Sequence, residues 1–537
     1  KRNVFDITGA APIKTNLAKD VLFKRRPDLG DIDLGCENAN TPLPYIDLVC
    51  ELLEEAVAPD PGVAFTGVLS DGPDPLTGVI STALLNDLQL AGIPITNQAL
   101  IYRTEESTTI NAPETPPYKP HYLRDKKAVC KIIHNGANDY TVYRLRQTLS
   151  SAEELAAAPE YVNPYAYYEL QNNSYSFRLP FDLNHTEATA YFNRLGISRA
   201  KLMQDFQLNT FADPVIVGEH LGLTDAERKI IVSPDAVNQQ QFWNTGSTSA
   251  FDEMKIVDTF LTKTGLTYRE LDLLLSLKFI EQNGNVFIEH HFDDPNAPKL
   301  IISCDTTKKE IANLNDIVLD RIHRFLRIQR KLGWKFETLD EVIYQSRMGN
   351  GMLDDNCLTH ISNLVHLSGM IGIKVDELIG FYHEIPFWGH PSSNAVPLYN
   401  RIFLDKGKNG FIDPKFLPDN LIGADTLTSL LTSLSGFLQV PEQELKKLIV
   451  PSATLIIDSL SYLFAATRLM KKLKLSADEF LALSSLTGID IQNSPDDTLN
   501  FVNAALEAKE IPLKLAEVKF ALFHEANNLS DREIKDE

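Results

Sequence analysis

The chain of 537 residues, 44% hydrophobic and 23% charged, has ordinary globular composition and enough length for two to four cooperative cores, which excludes a low-complexity or disordered protein. Acidic residues outnumber basic ones by 72 to 51, and the formal charge of −21 sets up a field that repels nucleic-acid phosphates, so no nucleic-acid partner is expected. No run approaches about 18 consecutive apolar residues, and the opening Lys1-Arg2-Asn3-Val4-Phe5-Asp6 lacks an apolar core, so neither a helical membrane span nor a Sec signal is visible.

The first 57 residues read as helical, with Tyr45, Ile46, Leu48, Val49, Leu52 and Leu53 forming an apolar stripe after Pro44, a first-turn proline. Residues 58–79 and 105–121 are rich in Pro, Gly, Asp and Thr and predict long loops framing a helix at about 80–93. Residues 1–150 are therefore expected to be an N-terminal helical segment with long loops.

From residue 151 a degenerate phrase recurs: helix end, Gly, apolar residue, polar cap, acidic helix start. It stands as Arg194-Leu-Gly-Ile-Ser-Arg-Ala-Lys-Leu202, Glu219-His-Leu-Gly-Leu-Thr-Asp-Ala-Glu227, Lys263-Thr-Gly-Leu-Thr-Tyr-Arg-Glu-Leu271 and Lys331-Leu-Gly-Trp-Lys-Phe-Glu-Thr-Leu339, with looser copies at 370–378, 437–445 and 472–480. Gly196, Gly222, Gly265, Gly333 and Gly372 suit the left-handed position that ends a helix, and Ser198, Thr224, Thr267 and Ser476 suit the cap of the next. Glu227, Glu270 and Glu479 complete capping boxes. Each phrase predicts helix, tight corner, helix. The spacing is too irregular for a tetratricopeptide or ankyrin array, so the expected fold is mainly α: irregular stacked helical hairpins, solenoid-like, over 151–276 and 311–537.

Between them, Leu277-Lys-Phe-Ile-Glu-Gln, an Asn283-Gly284 turn, Asn285-Val-Phe-Ile-Glu-His-His-Phe and Pro298-Lys-Leu-Ile-Ile-Ser-Cys304 predict a small β-hairpin insertion at 277–310. Near the end, Ser530-Asp-Arg-Glu533 is a capping box that should open a helix one turn before Glu537, so the helical repeats are expected to be truncated there.

Chemistry-bearing motifs are sparse. Five widely spaced cysteines (Cys36, Cys50, Cys130, Cys304, Cys357) without a CxxC pair read as reduced thiols. Glu289-His-His-Phe-Asp-Asp294 is the densest set of metal-ligand types, but adjacent strand residues point to opposite faces, so no metal is expected. His383 and His390 flank Pro386, Phe387 and Trp388 in what reads as a packed loop. No nucleophile elbow, phosphate loop, zinc-protease motif or dinucleotide fingerprint is present, so no catalytic residue, no cofactor and no enzyme activity are expected. The one strongly positive stretch is Arg321, Arg324, Arg327, Arg330 and Lys331, whose helical spacing lays a cationic row along one face. That row is read as a salt-bridged face or as a contact between protomers.

Four stretches carry a family resemblance: Arg25-Arg-Pro-Asp-Leu29 with Cys36-Glu-Asn-Ala-Asn-Thr-Pro-Leu-Pro-Tyr-Ile-Asp-Leu-Val49, Leu155–Tyr168, Leu179-Pro-Phe-Asp-Leu183 through Met203-Gln-Asp-Phe206, and Asp320–Trp334. In that order they resemble the shell region of the A subunits of the Tc insecticidal toxin complexes, the virulence plasmid A proteins, with Cys50 standing where the pattern has Asn. The resemblance implies a secreted or cell-surface bacterial toxin component: a structural shell module that encases a translocation channel, assembles with sister protomers into a pentamer and opens on a change of pH. It implies partners, a B–C cocoon and a host receptor, that engage other regions of the full protein. The alternative is a receptor- or glycan-binding module of the same toxin, which would need a sizeable β-domain.

Overall fold

The computed structural model describes residues 45–59, 61–66, 82–90, 100–102, 121–124, 129–136 and 139–145, and then 163–518 except for 207–212, 247–248, 282–284 and scattered positions within 291–300, 383–394 and 512–516. The first and last expectations for the termini, Pro44 and Ser530–Glu533, lie outside these residues, as do His383, Trp388 and His390. The chain divides into two compact units, Lys1–Asn172 and Asn173–Glu537.

In the first unit, helix α1 (Tyr45–Val57) forms where the apolar stripe predicts it, and α2 (Thr82–Leu90) sits between the two Pro-rich stretches. The expectation of a helical segment with long loops is corrected by a five-stranded antiparallel sheet of β1 (Val63–Thr66), β2 (Leu100–Tyr102), β3 (His121–Arg124), β4 (Val129–Gly136) and β5 (Asp139–Leu145), in the order β1-β5-β4-β3-β2. β4 and β5 form a hairpin with a bulge between His134 and Gly136. β1 is four residues long and finds its partner only in distant β5, Val63 facing Val142, so no local turn announces it. After the sheet comes α3 (Pro164–Asn172), which packs on α1. Glu54, buried on α1, accepts the Asn163 N–H at 3.0 Å and the Tyr167 hydroxyl at 3.0 Å, capping the start of α3 with a carboxylate.

The second unit is mainly helical around one continuous buried core that runs from Phe177 to Ala505. Its first half comprises α4 (Leu183–Arg194), α5 (Arg199–Asp205), α6 (Asp213–His220), α7 (Asp225–Val232), α8 (Gln239–Trp243), α9 (Ala250–Met254), α10 (Val257–Thr264), α11 (Tyr268–Leu275) and α12 (Lys278–Glu281). A two-stranded antiparallel element, β6 (Phe287–Ile288) with β7 (Ile311–Ala312), interrupts the helices. There follow α13 (Asp316–Leu332), α14 (Phe336–Tyr344), α15 (Asp355–Ile371), α16 (Val375–Leu378), α17 (Leu398–Phe403), α18 (Lys406–Asn409), α19 (Leu431–Leu438), α20 (Glu442–Leu448), α21 (Ile457–Leu473), α22 (Ala477–Thr487) and α23 (Pro495–Ala508).

The helix corners are those that the recurring phrase predicts. Gly196, Gly222, Gly265, Gly333 and Gly372 all have φ between +61° and +71°, and Gly333, at φ +67° with its N–H on Gln329 O, ends α13 in a conformation that a side chain would strain. Three complete capping boxes open α7, α11 and α22 at Thr224/Glu227, Thr267/Glu270 and Ser476/Glu479. At Thr224 the hydroxyl accepts the Glu227 N–H at 3.1 Å and the Glu227 carboxylate accepts the Thr224 N–H at 2.8 Å. Thr224→Ala is expected to lower the stability of this unit by about 1 kcal/mol, read as a shift of the urea midpoint at unchanged slope.

The β-insertion departs from expectation in register. Lys278–Glu281, expected as the first strand of a hairpin about Asn283-Gly284, is a helical turn, because the buried carboxylate of Asp340 on α14 accepts the N–H groups of Lys278 at 3.0 Å and Phe279 at 2.8 Å and so caps it. That turn buries Phe279 and Ile280. The strand pair forms instead from Phe287–Ile288 and Ile311–Ala312, with a further bridge between Phe292 and Ile302.

Candidate functional site: an arginine row and the hollow beside it

The cationic row lies on α13. The helix starts at Asn315, whose side chain accepts the Val318 N–H at 3.0 Å, and it buries Val318, Leu319, Ile322, Phe325, Leu326 and Ile328 on its apolar side. Its polar side is buried as well: Asp320, His323, Arg324 and Arg327 are each 5% exposed or less. Such groups persist in a core only when each hydrogen bond is answered, and the answers come from distant loops.

Arg324 donates Nε to Asp320 at 3.0 Å and Nη1 to the carbonyls of Ile231 and Leu353, both at 3.1 Å. Asp320 also accepts the Asp235 N–H at 3.0 Å. Burial works to raise the Asp320 carboxyl, but His323, Arg324 and the Asp235 N–H outweigh it and hold it below its usual range. Arg327 donates to the carbonyls of Leu179 and Ser174, and Arg330 to that of Thr264. Both guanidinium groups stand over the ring of Phe177, Arg330 at 4.5 Å and Arg327 at 5.9 Å. Burial, with Arg330 alongside, pushes Arg327 down to about 10, which leaves it charged at neutral pH. Lys331 reaches Glu227 at 3.7 Å, and Arg321 is half-buried.

The five residues named from sequence thus do not form one outward face. Arg324 and Arg327, both buried, point into the unit and fasten loops to α13, whereas Arg330 and Lys331 are exposed and Arg321 is half-buried. The salt-bridged reading describes Arg324 with Asp320 and Lys331 with Glu227.

Beside the row is a hollow of about 600 Å³, lined by Phe177, Pro180, Phe181, Leu223 and Ile231 among apolar residues and by Arg178, Arg327, Arg330 and Lys331 among cations. Its two carboxylates are engaged: Asp182 accepts the His185 N–H at 3.0 Å as the cap of α4, and Glu227 caps α7. His185, also on the rim, bonds through Nε2 to Glu219 at 2.7 Å, and Arg199 meets the same carboxylate oxygen. Among the described residues no group of three or more His, Cys, Asp and Glu side chains is placed to hold a metal ion. Glu289 and His290 are exposed at the end of β6, and Cys50, Cys304 and Cys357 are free thiols. Phe177, Arg178 and Asp320 were not singled out by spacing; Phe177 becomes a partner of Arg327 and Arg330 only through the fold.

No protein-family model matches the chain, and no curated protein does. The cryo-EM structure of Morganella morganii TcdA4 is similar, with a TM-score of 0.46 and 9% sequence identity over 72% of this chain. This chain covers 22% of that one.

Proposed function

We propose that the chain is a structural wall module of a larger toxin-translocating assembly: a helical lobe that encases a channel, packs against sister copies and is not itself an enzyme. One observation supports this reading above others. Two of the sequence blocks that resemble Tc A subunits, Leu179–Phe206 and Asp320–Trp334, are tied together by Arg327, which donates from the second block to the Leu179 carbonyl in the first. The most chemistry-bearing helix of the chain spends its guanidinium groups on fastening backbone, which is what a wall requires and a reaction centre does not. No described helix is long and apolar enough to cross a membrane, so the translocating pore belongs, in this reading, to other parts of the assembly. Contacts between copies would answer to pH through the surplus of carboxylates, 72 acidic residues against 51 basic, and the 12 histidines.

Light scattering on the purified chain is expected to show a defined oligomer at neutral pH that changes state on acidification, with no turnover of a fluorogenic sialoside at either pH. Saturable turnover, or a strict monomer across the pH range, overturns the reading. The five-stranded sheet of the first unit favours one second reading, a receptor- or glycan-binding module. Saturable binding on a glycan array by a chain that stays monomeric selects it.

A further inference from the structure

We propose that the hollow beside α13 is a binding site for a small amphipathic anion, one with a carboxylate or phosphate head on an apolar body. The first ground is charge. In this acidic chain most buried or half-buried arginines of the second unit meet a carboxylate: Arg199 meets Glu219, Arg228 meets Asp225 and Asp355, Arg324 meets Asp320, and Arg401 meets Asp376. Of the arginines that line the hollow, buried Arg327 forms no ion pair with a described residue, and neither do Arg178 and Arg330 on its exposed rim. Arg327 and Arg330 are met by carbonyl oxygens, which satisfy hydrogen bonds without cancelling charge. Burial first, and then the charge of Arg178, hold Arg330 below its usual range.

The second ground is unsatisfied polarity. Arg327 is 5% exposed, and its Nε has no hydrogen-bond acceptor. Thr189, on α4, also lines the hollow, and its buried Oγ1 has no partner either. Buried polar atoms left unpaired each cost about 1–3 kcal/mol, so two of them at the wall of one hollow, beside a surplus of cations, mark a place built around something polar and negative. Asp182 and Glu227 offset only part of this charge: Glu227 acts on Arg327 and reaches Lys331, but the hollow sets the four cations Arg178, Arg327, Arg330 and Lys331 against these two carboxylates, both of which already cap helices.

The third ground is shape. A hollow of about 600 Å³ is of the size that takes small molecules, and Phe177, Pro180, Phe181, Leu223 and Ile231 offer an apolar surface to the body of a ligand whose head meets the arginines. The ring of Phe177 holds the Arg330 plane at 4.5 Å, so the fork is oriented before any ligand arrives.

Isothermal titration of the full chain with octanoate and with octyl phosphate, each below its micelle concentration, tests this. One-to-one saturable binding is expected, at least about tenfold tighter than for octanol or octylammonium, and the tighter of the two anions identifies the head. Arg178→Gln and Arg330→Gln are each expected to weaken anion binding about tenfold or more, and exposed Arg269→Gln to leave it unchanged; Arg178 makes no hydrogen bond to a described residue, so its loss does not threaten folding. Anions that bind no better than octanol, or affinity that survives both arginine substitutions, overturn the proposal.

Discussion

Replacing Arg324 with Leu is expected to lower the stability of the Asn173–Glu537 unit by about 3–5 kcal/mol, the cost of stranding a buried charge. The substitution removes the charge partner of Asp320, itself 3% exposed, and leaves the carbonyls of Ile231 and Leu353 without their donor. Much of that cost is the penalty of the carboxylate left behind. The double variant Asp320→Asn with Arg324→Leu is therefore expected to recover part of the loss, although Asn in place of Asp320 must still accept the Asp235 N–H. Urea unfolding followed by circular dichroism measures both. A single variant within about 1 kcal/mol of the parent would show that α13 is not fastened by this group.

The second large effect is on pH dependence. His323 is fully buried, its ring stacked on Phe242 at 4.3 Å, and it lies 3.3 Å from Asp320 without the alignment of a hydrogen bond. Burial lowers its pKa from 6.5 to about 4 against the opposing pull of Asp320, and the neighbouring Arg327 and Arg324 act in the same direction as burial. Between those two values the unfolded chain holds a proton that the native chain does not, so the native state loses stability as pH falls from 6.5 towards 4, by roughly 3 kcal/mol from this group. Buried Asp340 acts oppositely. Burial pushes its carboxyl from 3.8 up to about 6 against the pull of its two backbone N–H bonds, so the native state binds the extra proton and gains stability as pH falls from 6 towards 3.8.

The two groups largely offset one another in the parent chain, and each is exposed by removing the other. His323→Gln is expected to become more stable relative to the parent as pH goes from 7 to 4, by roughly 3 kcal/mol. Asp340→Asn is expected to become less stable relative to the parent over the same interval. Parallel urea titrations at pH 7, 5.5 and 4 separate them, and stability differences that stay constant across the three would rule out titration of either group. His220, lowered by burial and by the stacked ring of His366, adds to the His323 trend in both variants and so cancels from the comparison.

The helix corners of the second unit were legible because the interactions that make them span few residues. A glycine at positive φ, a Thr or Ser cap and a Glu three positions later are local geometry, and Thr224, Thr267 and Ser476 form their boxes as the spacing requires. Two corners were less legible for the same reason: Gln439 and Lys474 take the left-handed position without glycine, at φ +56° and +51°. The β-elements were misread wherever the partner was distant. β1 depends on β5, and the turn at Lys278 depends on Asp340, so a period of two or an Asn-Gly pair could not decide either.

The amino-acid sequence alone determined that this chain is mainly helical, where most of its helices turn, and that α13 would carry a row of cations, because backbone conformation and capping are settled within a few residues. It could not determine which way that row points. Spacing places Arg324, Arg327 and Arg330 on neighbouring turns, but whether a guanidinium meets solvent or a carbonyl depends on where the loops at Ser174–Leu179, Ile231 and Leu353 come to rest. Only the tertiary structure decided that, since a buried charge is placed by the groups that answer it, and those groups arrive from far along the chain.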